Sequence, residues 1–133
     1  MKRSKALAPL AREHHSALVL ARRLQQTGQE EATLVADLRA AWRELLVLHF
    51  DCEERLLLPA LRAAGEQTLV ERTLAEHAQL RALMVAIEAG DASAIARFGA
   101  LLSAHIRFED RELFVRAEAR YAAAELMRLM AEP

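Results

Sequence analysis

The sequence is poor in the residues that break helices or cross-link chains. Its 133 residues include 4 Gly, 3 Pro and 1 Cys. A single cysteine cannot form a disulfide within the chain, which excludes a disulfide-stapled scaffold and fits a reducing compartment. Scarce Gly and Pro, together with abundant Ala and Leu, favour helix over most of the length. The composition therefore predicts an all-α protein.

The charge and hydropathy of the sequence weigh against two classes of partner. Lys and Arg number 18 against 19 Asp and Glu, a formal net charge of -1, so no basic surface is available to attract nucleic acid. No apolar run approaches the ~20 residues that a membrane-spanning helix needs. Pro9, Arg12 and Glu13 interrupt the stretch in which a signal peptide would have its apolar core. We therefore expect no nucleic-acid or membrane partner, and a cytoplasmic location by default.

The spacing of apolar residues predicts four long helices and a short tail helix. These cover about 10–26, 30–64, 67–89, 91–120 and 121–130. Gly65 and Gly90 mark helix ends, and Pro59 should kink or locally break the second helix. The connections are short, so neighbouring helices should be antiparallel. The sequence therefore predicts one domain over 1–133, an up-down-up-down four-helix bundle with its core at about 10–120.

Two segments share a pattern in which a glutamate follows a histidine by four residues. His49 precedes Glu53, and His105 precedes Glu109. Positions i and i+4 lie on one face of a helix, and in both segments that face is apolar. Burying His and Glu is costly unless a partner satisfies them. A metal ion is the most economical partner, and two copies of the pattern suggest two ions.

The first and third helices each add one histidine to their apolar faces. His14 lies near the middle of the apolar stripe of the first helix, and His77 shares a face with Val70 and Met84 in the third. The chain can thus be described as two hairpins, each supplying one histidine and then one His-x-x-x-Glu pair. The predicted metal ligands are His14, His49, Glu53, His77, His105 and Glu109.

Four imidazoles and two carboxylates suit a redox metal that accepts both donors, such as iron. Two bridging glutamates with two histidines per ion would give each ion four protein donors. Iron would then keep positions open for water, an oxo group or a small ligand. Structural zinc sites usually close at four ligands and are often rich in thiolate, of which Cys52 is the sole source here.

The polar neighbours of these residues are open to more than one interpretation. His15, at the edge of the apolar face, could be a surface residue, an outer partner of the site or a further ligand. Glu54 and Asp110 are expected to face solvent or to pair with Arg55 and Arg111.

In the fourth helix Glu112 clusters with His105 and Glu109 on the helical projection. Arg81 shares the face of His77, where it would repel a cation unless it pairs with a glutamate or lies over an anionic ligand. Cys52 lies on another face and is expected to be an ordinary thiol rather than a redox sensor.

Taken together, these residues resemble the hemerythrin-like, or HHE cation-binding, family. The resemblance covers about Leu10 to Glu118 and rests, in the family's order, on Glu13-His14-His15, His49-Phe50-x-x-Glu53-Glu54-x-x-Leu57-Leu58-Pro59, Glu76-His77 and His105-x-x-x-Glu109-Asp110. It implies a four-helix bundle holding a non-haem di-iron centre, with two iron ions and an oxo or hydroxo bridge. It also implies chemistry with dioxygen, nitric oxide or peroxide.

The sequence departs from the oxygen-carrying members of that family. Their third helix has His-x-x-x-His, whereas Arg81 stands four residues after His77 here. Their fourth helix has His-x-x-x-x-Asp, which His105 and Asp110 could meet, although helix geometry favours Glu109. The four-His, two-Glu set is closer to the branch that includes the repair-of-iron-centres proteins.

The resemblance favours a protein that binds, senses or detoxifies a small molecule, rather than a dedicated enzyme. Three alternatives use the same residues: an enzyme that turns over peroxide or nitric oxide, an iron store, donor or iron-centre repair protein, and a helical interaction module with a vestigial polar core. Binding and turnover need the same ligands, so the sequence does not separate them.

Overall fold

The computed structural model describes residues 3–131, which form four long helices and one short one. The helices are α1 (Ala8–Gln25), α2 (31–63), α3 (Gln67–Glu88), α4 (93–120) and α5 (Ala123–Leu129). α4 packs along α1 and α3, and the described residues contain no strand. The structure confirms the predicted all-α bundle with a short C-terminal helix. No helix within 3–131 has the length and apolar character to cross a membrane.

Glycines end α2 and α3 in the same way. Gly65 and Gly90 have φ of 89° and 100°, a region that only glycine adopts at no steric cost. At the first, the Glu66 N–H donates to the Leu61 carbonyl (2.9 Å), and at the second the Asp91 N–H donates to the Ala86 carbonyl (3.0 Å). Both are Schellman motifs. They allow the abrupt reversals that bring consecutive helices side by side.

α2 and α4 are interrupted by π-helical turns. α2 is α-helical over Glu31–Ala41, Val47–Cys52 and Leu58–Ala63, with π-helical turns at Trp42–Leu46 and Glu53–Leu57 between them, and α4 is α-helical over Ser93–Phe108 and Phe114–Arg120, with a π-helical turn at Glu109–Leu113. Two of the three turns begin at a predicted glutamate ligand. Such bulges are frequent at functional sites, and their matching positions support the hairpin repeat.

The π turns change which residues face the core. Each adds a residue to the turn, so the following side chains are rotated relative to a regular α-helix. Leu57 and Leu113 are fully buried, whereas Leu56 is half-buried and Glu112 is exposed. The predicted inward position of Glu112 is therefore wrong, because the projection assumed regular α-helix through Glu109.

The proline in α2 does not break the helix. Pro59 follows the π turn at Glu53–Leu57 and lies in the first turn of Leu58–Ala63, where a missing N–H is best tolerated. The predicted interruption is thus a local change of helical register just before Pro59.

The apolar core is divided by a polar layer. One apolar cluster includes Leu24, Leu38, Phe50, Phe98 and Leu102, and the other includes Leu7, Leu61, Val70, Leu113 and Phe114. Along each long helix the buried residues pass from one cluster to the other through a histidine, a glutamate or both. Apart from Thr73, the buried polar residues described are His14, His49, Glu53, His77, His105 and Glu109.

α1 and α4 approach most closely at Gly99, which yields a test of the packing. A Cβ at Gly99 would lie 2.7 Å from the Ala21 carbonyl oxygen and 2.9 Å from the Leu24 Cβ. We expect Gly99→Ala to lower the free energy of unfolding by about 1 kcal/mol or more, because overpacking (~1–3 kcal/mol) outweighs the gain in helix propensity (~1 kcal/mol). Urea denaturation of the metal-free protein measures this change.

Ala96→Gly is the matched control, since Ala96 is exposed on the same helix and reports helix propensity alone. If Gly99→Ala stabilised the protein by as much as Ala96→Gly destabilises it, the close approach of α1 and α4 would be disproved.

Candidate metal centre

The four predicted histidines and two predicted glutamates converge in the polar layer between the apolar clusters. Each is at most 4% exposed, and each long helix contributes at least one. Their inward atoms form two overlapping groups that could each hold an ion, one of His14, His49, Glu53 and Glu109 and the other of Glu53, His77, His105 and Glu109. Within each group the ligand atoms lie within 4.8 Å of one another.

We call the first group site A. The Nε2 atoms of His14 and His49 are 3.2 Å apart. Glu109 Oε1 lies 2.9 Å from His14 Nε2, and Glu53 Oε2 lies 3.0 Å from His49 Nε2. Two nitrogens and two oxygens therefore surround one point.

We call the second group site B. His77 Nε2 lies 3.1 Å from Glu53 Oε1, and His105 Nε2 lies 3.1 Å from Glu109 Oε2. Both glutamates thus direct one carboxylate oxygen to each site. This is the arrangement expected of two carboxylates that bridge two ions.

Each histidine is also held from behind by a carboxylate. The four outer pairs are His14 Nδ1 with Asp110 (2.8 Å), His49 Nδ1 with Glu13 (2.8 Å), His77 Nδ1 with Glu54 (2.6 Å) and His105 Nδ1 with Glu76 (2.7 Å). A proton on Nδ1 donated to a carboxylate leaves the Nε2 lone pair directed inward. Histidine ligands of metals are commonly oriented in this way.

The inward atoms fit a cation better than they fit one another. Glu53 Oε2, Glu109 Oε2 and His105 Nε2 are buried without a hydrogen-bond partner among the described residues, although Glu53 Oε2 lies 3.0 Å from His49 Nε2 and Glu109 Oε2 lies 3.1 Å from His105 Nε2. Carboxylates only accept hydrogen bonds, as do Nε2 atoms when Nδ1 carries the proton. Buried acceptors that converge without donors are costly, and a bound metal ion removes that cost.

The charges at the centre act strongly on one another. Burial lowers the pKa of His105, but the carboxylates of Glu109, Glu76 and Glu53 together outweigh it and raise this pKa to about 10. The pKa of His49 is raised well above its usual value against its burial, chiefly by Glu53. Conversely, His105 holds the pKa of Glu109 well below its usual range in spite of complete burial. Protons and metal ions therefore compete for these imidazoles.

The structure corrects the predicted roles of Asp110 and Glu54. Both acids are partly exposed, but Asp110 also contacts His14, and Glu54 contacts His77 and Arg81. Helix geometry correctly placed Glu109 inside and Asp110 outside. The projection of single helices did not predict that an outward acid on one helix can contact the Nδ1 atom of a histidine on another helix.

Sequence reasoning gave no role to the other two outer carboxylates, Glu13 and Glu76. A signal was present, since each directly precedes a histidine of the predicted set. The pairing follows the same rule in both hairpins. Glu13 and Glu76 each contact the His-x-x-x-Glu histidine of their own hairpin. Glu54 and Asp110 each contact the single histidine of the other hairpin.

The remaining polar neighbours of the centre have distinct positions. His15 is exposed and belongs to neither of the two groups of converging ligand atoms. Arg81 is paired with Glu54 at 2.9 Å, and not with Glu53, Glu109 or Glu112. Cys52 is half-buried and packs against the second apolar cluster.

A small cavity adjoins the centre. Apolar side chains form most of its wall, and Glu13, His14, His49 and His105 form the rest. The apolar part consists of Ala17, Leu45, Leu46, Phe50, Leu102 and Ile106. The cavity has room for about one water-sized molecule.

The bundle and its symmetric buried His/Glu cluster define a helical protein with a candidate metal centre. The profile of the hemerythrin HHE cation-binding domain matches residues 6–117. The chain therefore belongs to the hemerythrin HHE cation-binding domain family. No curated protein and no solved structure matches the chain significantly.

The raised pKa of His105 predicts that the metal-free protein loses stability as the pH rises, whereas the stabilisation by bound metal increases. His105 has a folded pKa of about 10 against about 6.5 in the unfolded chain. Its contribution to the metal-free fold is therefore fully present below pH ~6.5 and is lost as the pH rises toward 10. Metal binds the neutral imidazoles, so the stabilisation by metal should increase over the same range.

Thermal melting followed by circular dichroism at pH 6.5 and 9 measures both effects. We expect the melting temperature of the metal-free protein to fall and its difference from the loaded protein to widen. His105→Gln should flatten the fall, and His15→Gln, at an exposed position, should not. A metal-free melting temperature that stays constant or rises with pH would contradict the account.

Proposed function

We propose that the centre holds two iron ions and that the protein uses them to bind a small molecule such as dioxygen, nitric oxide or peroxide, for sensing or detoxification. The observation that carries the proposal is the division of the buried ligands into two sets, each with two imidazole nitrogens and two carboxylate oxygens. The four-His, two-Glu branch of the family is part of the proposal.

The donor chemistry supports iron. Imidazole suits Zn, Cu, Fe and Ni, and carboxylate suits harder ions, so a site with equal numbers of both suits a metal between these classes. Two-metal carboxylate centres are commonly built in this way inside helical bundles. Bound iron would supply redox chemistry and coordination positions beyond the four protein donors.

The protein's own residues hold and isolate the centre. Glu53 and Glu109 each direct one carboxylate oxygen to site A and the other to site B, which would set the spacing of two ions. The outer carboxylates fix the ring orientation of the four histidines. The apolar clusters on both sides exclude bulk water, which strengthens the electrostatic interactions between the groups in the layer.

The cavity beside the histidines supports a small ligand. It has room for about one water-sized molecule, which is close to the size of a diatomic gas or peroxide. Its wall is largely apolar, which suits an uncharged diatomic molecule. Larger organic substrates would have to displace Phe50 or Leu102, both of which are almost fully buried.

Metal analysis tests the iron proposal directly. Protein reconstituted anaerobically with Fe(II) should bind about two irons per chain. Glu53→Ala should lose one or both ions, since Glu53 serves both sites. His15→Ala should retain them. Less than about one iron per chain, without a ligand-to-metal charge-transfer band after oxidation, would refute the di-iron centre.

A cavity-filling variant tests the place of the ligand. Ala17 is buried and lines the cavity, so Ala17→Val should weaken nitric oxide binding to the loaded protein by about tenfold or more, ~1.4 kcal/mol, with unchanged iron content. Stopped-flow absorbance measures this binding. Ala117→Val is the control, since Ala117 is buried in the other apolar cluster. Equal effects of the two substitutions would exclude the cavity as the binding place.

The same instrument separates binding from turnover. Mixed with hydrogen peroxide, a binding protein should give one stoichiometric spectral change. Continuous oxygen evolution would indicate an enzyme instead. Release of iron to a chelator within minutes, followed by transfer to an apo acceptor, would indicate an iron store or donor.

A further inference from the structure

The two candidate metal sites have the same ligands but different surroundings. The difference lies in the carboxylates behind the histidines. Glu13 and Asp110, behind site A, have side chains that are both 38% exposed. Glu54 and Glu76, behind site B, are 25% and 15% exposed.

Arg81 clamps the carboxylate behind His77. Its Nη1 donates to Glu54 Oε2 at 2.9 Å and its Nη2 to Oε1 at 3.2 Å, a two-point contact that fixes the plane of the carboxylate. The guanidinium also lies 6.0 Å from the centre of the Phe50 ring. Phe50 in turn stacks on His77, with 4.2 Å between ring centres.

Arg72 plays the corresponding part behind His105. Its Nε donates to Glu76 Oε2 at 3.1 Å, and its guanidinium lies 3.9 Å from the centre of the Phe108 ring. The ring and the ion pair together hold Glu76 in place. Both histidines of site B thus rest on carboxylates that an arginine immobilises.

The outer carboxylates of site A are not clamped in this way. The ion pairs described for Glu13 and Asp110 are with His49 and His14. Arg3 lies 5.7 Å from the ring of Phe114, which stacks on His14. However, the Arg3 Nη2 donates to the backbone carbonyl of Asp110 at 3.1 Å and not to the carboxylate, so the difference between the sites lies in the carboxylates. The small cavity also touches both histidines of site A, but only one histidine of site B. The carboxylates behind His14 and His49 are therefore more exposed to solvent than those behind His77 and His105, and the cavity adjoins both of the site A rings.

We infer that the two metal positions are inequivalent, with Arg81 and Arg72 as positioning residues that make site B the tightly held position and leave site A as the exchangeable one. The inference rests on the proposed function, because it concerns the same pair of ions. It gives Arg81 a role in the place where the oxygen-carrying pattern has a histidine.

The physical reason is the freedom of the histidine. A metal ion can leave only when its ligands turn away or take up a proton. A ring whose outer carboxylate is fixed by an arginine loses its orientation less often than one whose carboxylate is free in solvent. Removing outer partners of metal ligands typically costs 10–100-fold in affinity, so clamped and unclamped sites should differ measurably.

Iron release to a ferrous chelator tests the inference. Protein loaded with two Fe(II) per chain under anaerobic conditions should release them in two phases of about equal amplitude, the faster from site A. Arg81→Gln and Arg72→Gln should accelerate the slow phase about tenfold or more and leave the fast phase unchanged. Glu13→Gln should accelerate the fast phase alone.

Arg39→Gln is the matched control. Arg39 joins α2 to α3 through Glu88 at 2.9 Å, as Arg81 joins them through Glu54, but it touches no histidine. It should change neither phase. Melting of each metal-free variant, followed by circular dichroism, checks that the bundle is intact.

The release experiment distinguishes a failure of this inference from a failure of the proposed function. A chain that takes up no iron overturns both this inference and the proposed function. Two bound irons that leave in a single phase overturn only the inference. If Arg81→Gln accelerates both phases equally, the inference is also overturned. In that case the two phases would arise from the bridging glutamates that both sites share, and not from the arginines behind site B.

Discussion

The convergence of buried acceptor groups at one level of the bundle is the constraint on which the rest depends. Four imidazole nitrogens and the oxygens of two glutamates point inward with three atoms unpartnered, between two apolar clusters that give them no donors. The apolar clusters can assemble the helices, but they cannot satisfy this layer. Cations or protons must do so, and the strongly raised pKa of His105 shows how strong that demand is.

The approximate two-fold symmetry of the chain explains how so small a bundle builds the layer. Each hairpin supplies a single histidine, a His-x-x-x-Glu pair and a π turn that starts at the glutamate. The outer acids then cross between helices, so that every ligand ring is fixed by an element other than its own. The symmetry ends at the surface, where the outer carboxylates of Glu54 and Glu76 are ion-paired with arginines, whereas the ion pairs described for Glu13 and Asp110 are with histidines.

Helix faces and i, i+4 spacing were sufficient to predict the bundle and the six residues that meet in its core, because both depend on local periodicity. Glu109 was chosen over Asp110 on that basis. The π turns were not predicted, since a one-residue change of register leaves no local signal, and Glu112 was misplaced as a result. The outer pairs of Glu54 and Asp110 depend on distances between helices, which periodicity does not contain.

The most direct test of the account is an anomalous-scattering map of crystals of iron-loaded protein, recorded at the iron edge. We expect two peaks in the polar layer, one beside the Nε2 atoms of His14 and His49 and the other beside those of His77 and His105, with Glu53 and Glu109 bridging them. A layer without anomalous density, or a single peak bound by Asp110 in place of Glu109, would contradict the account.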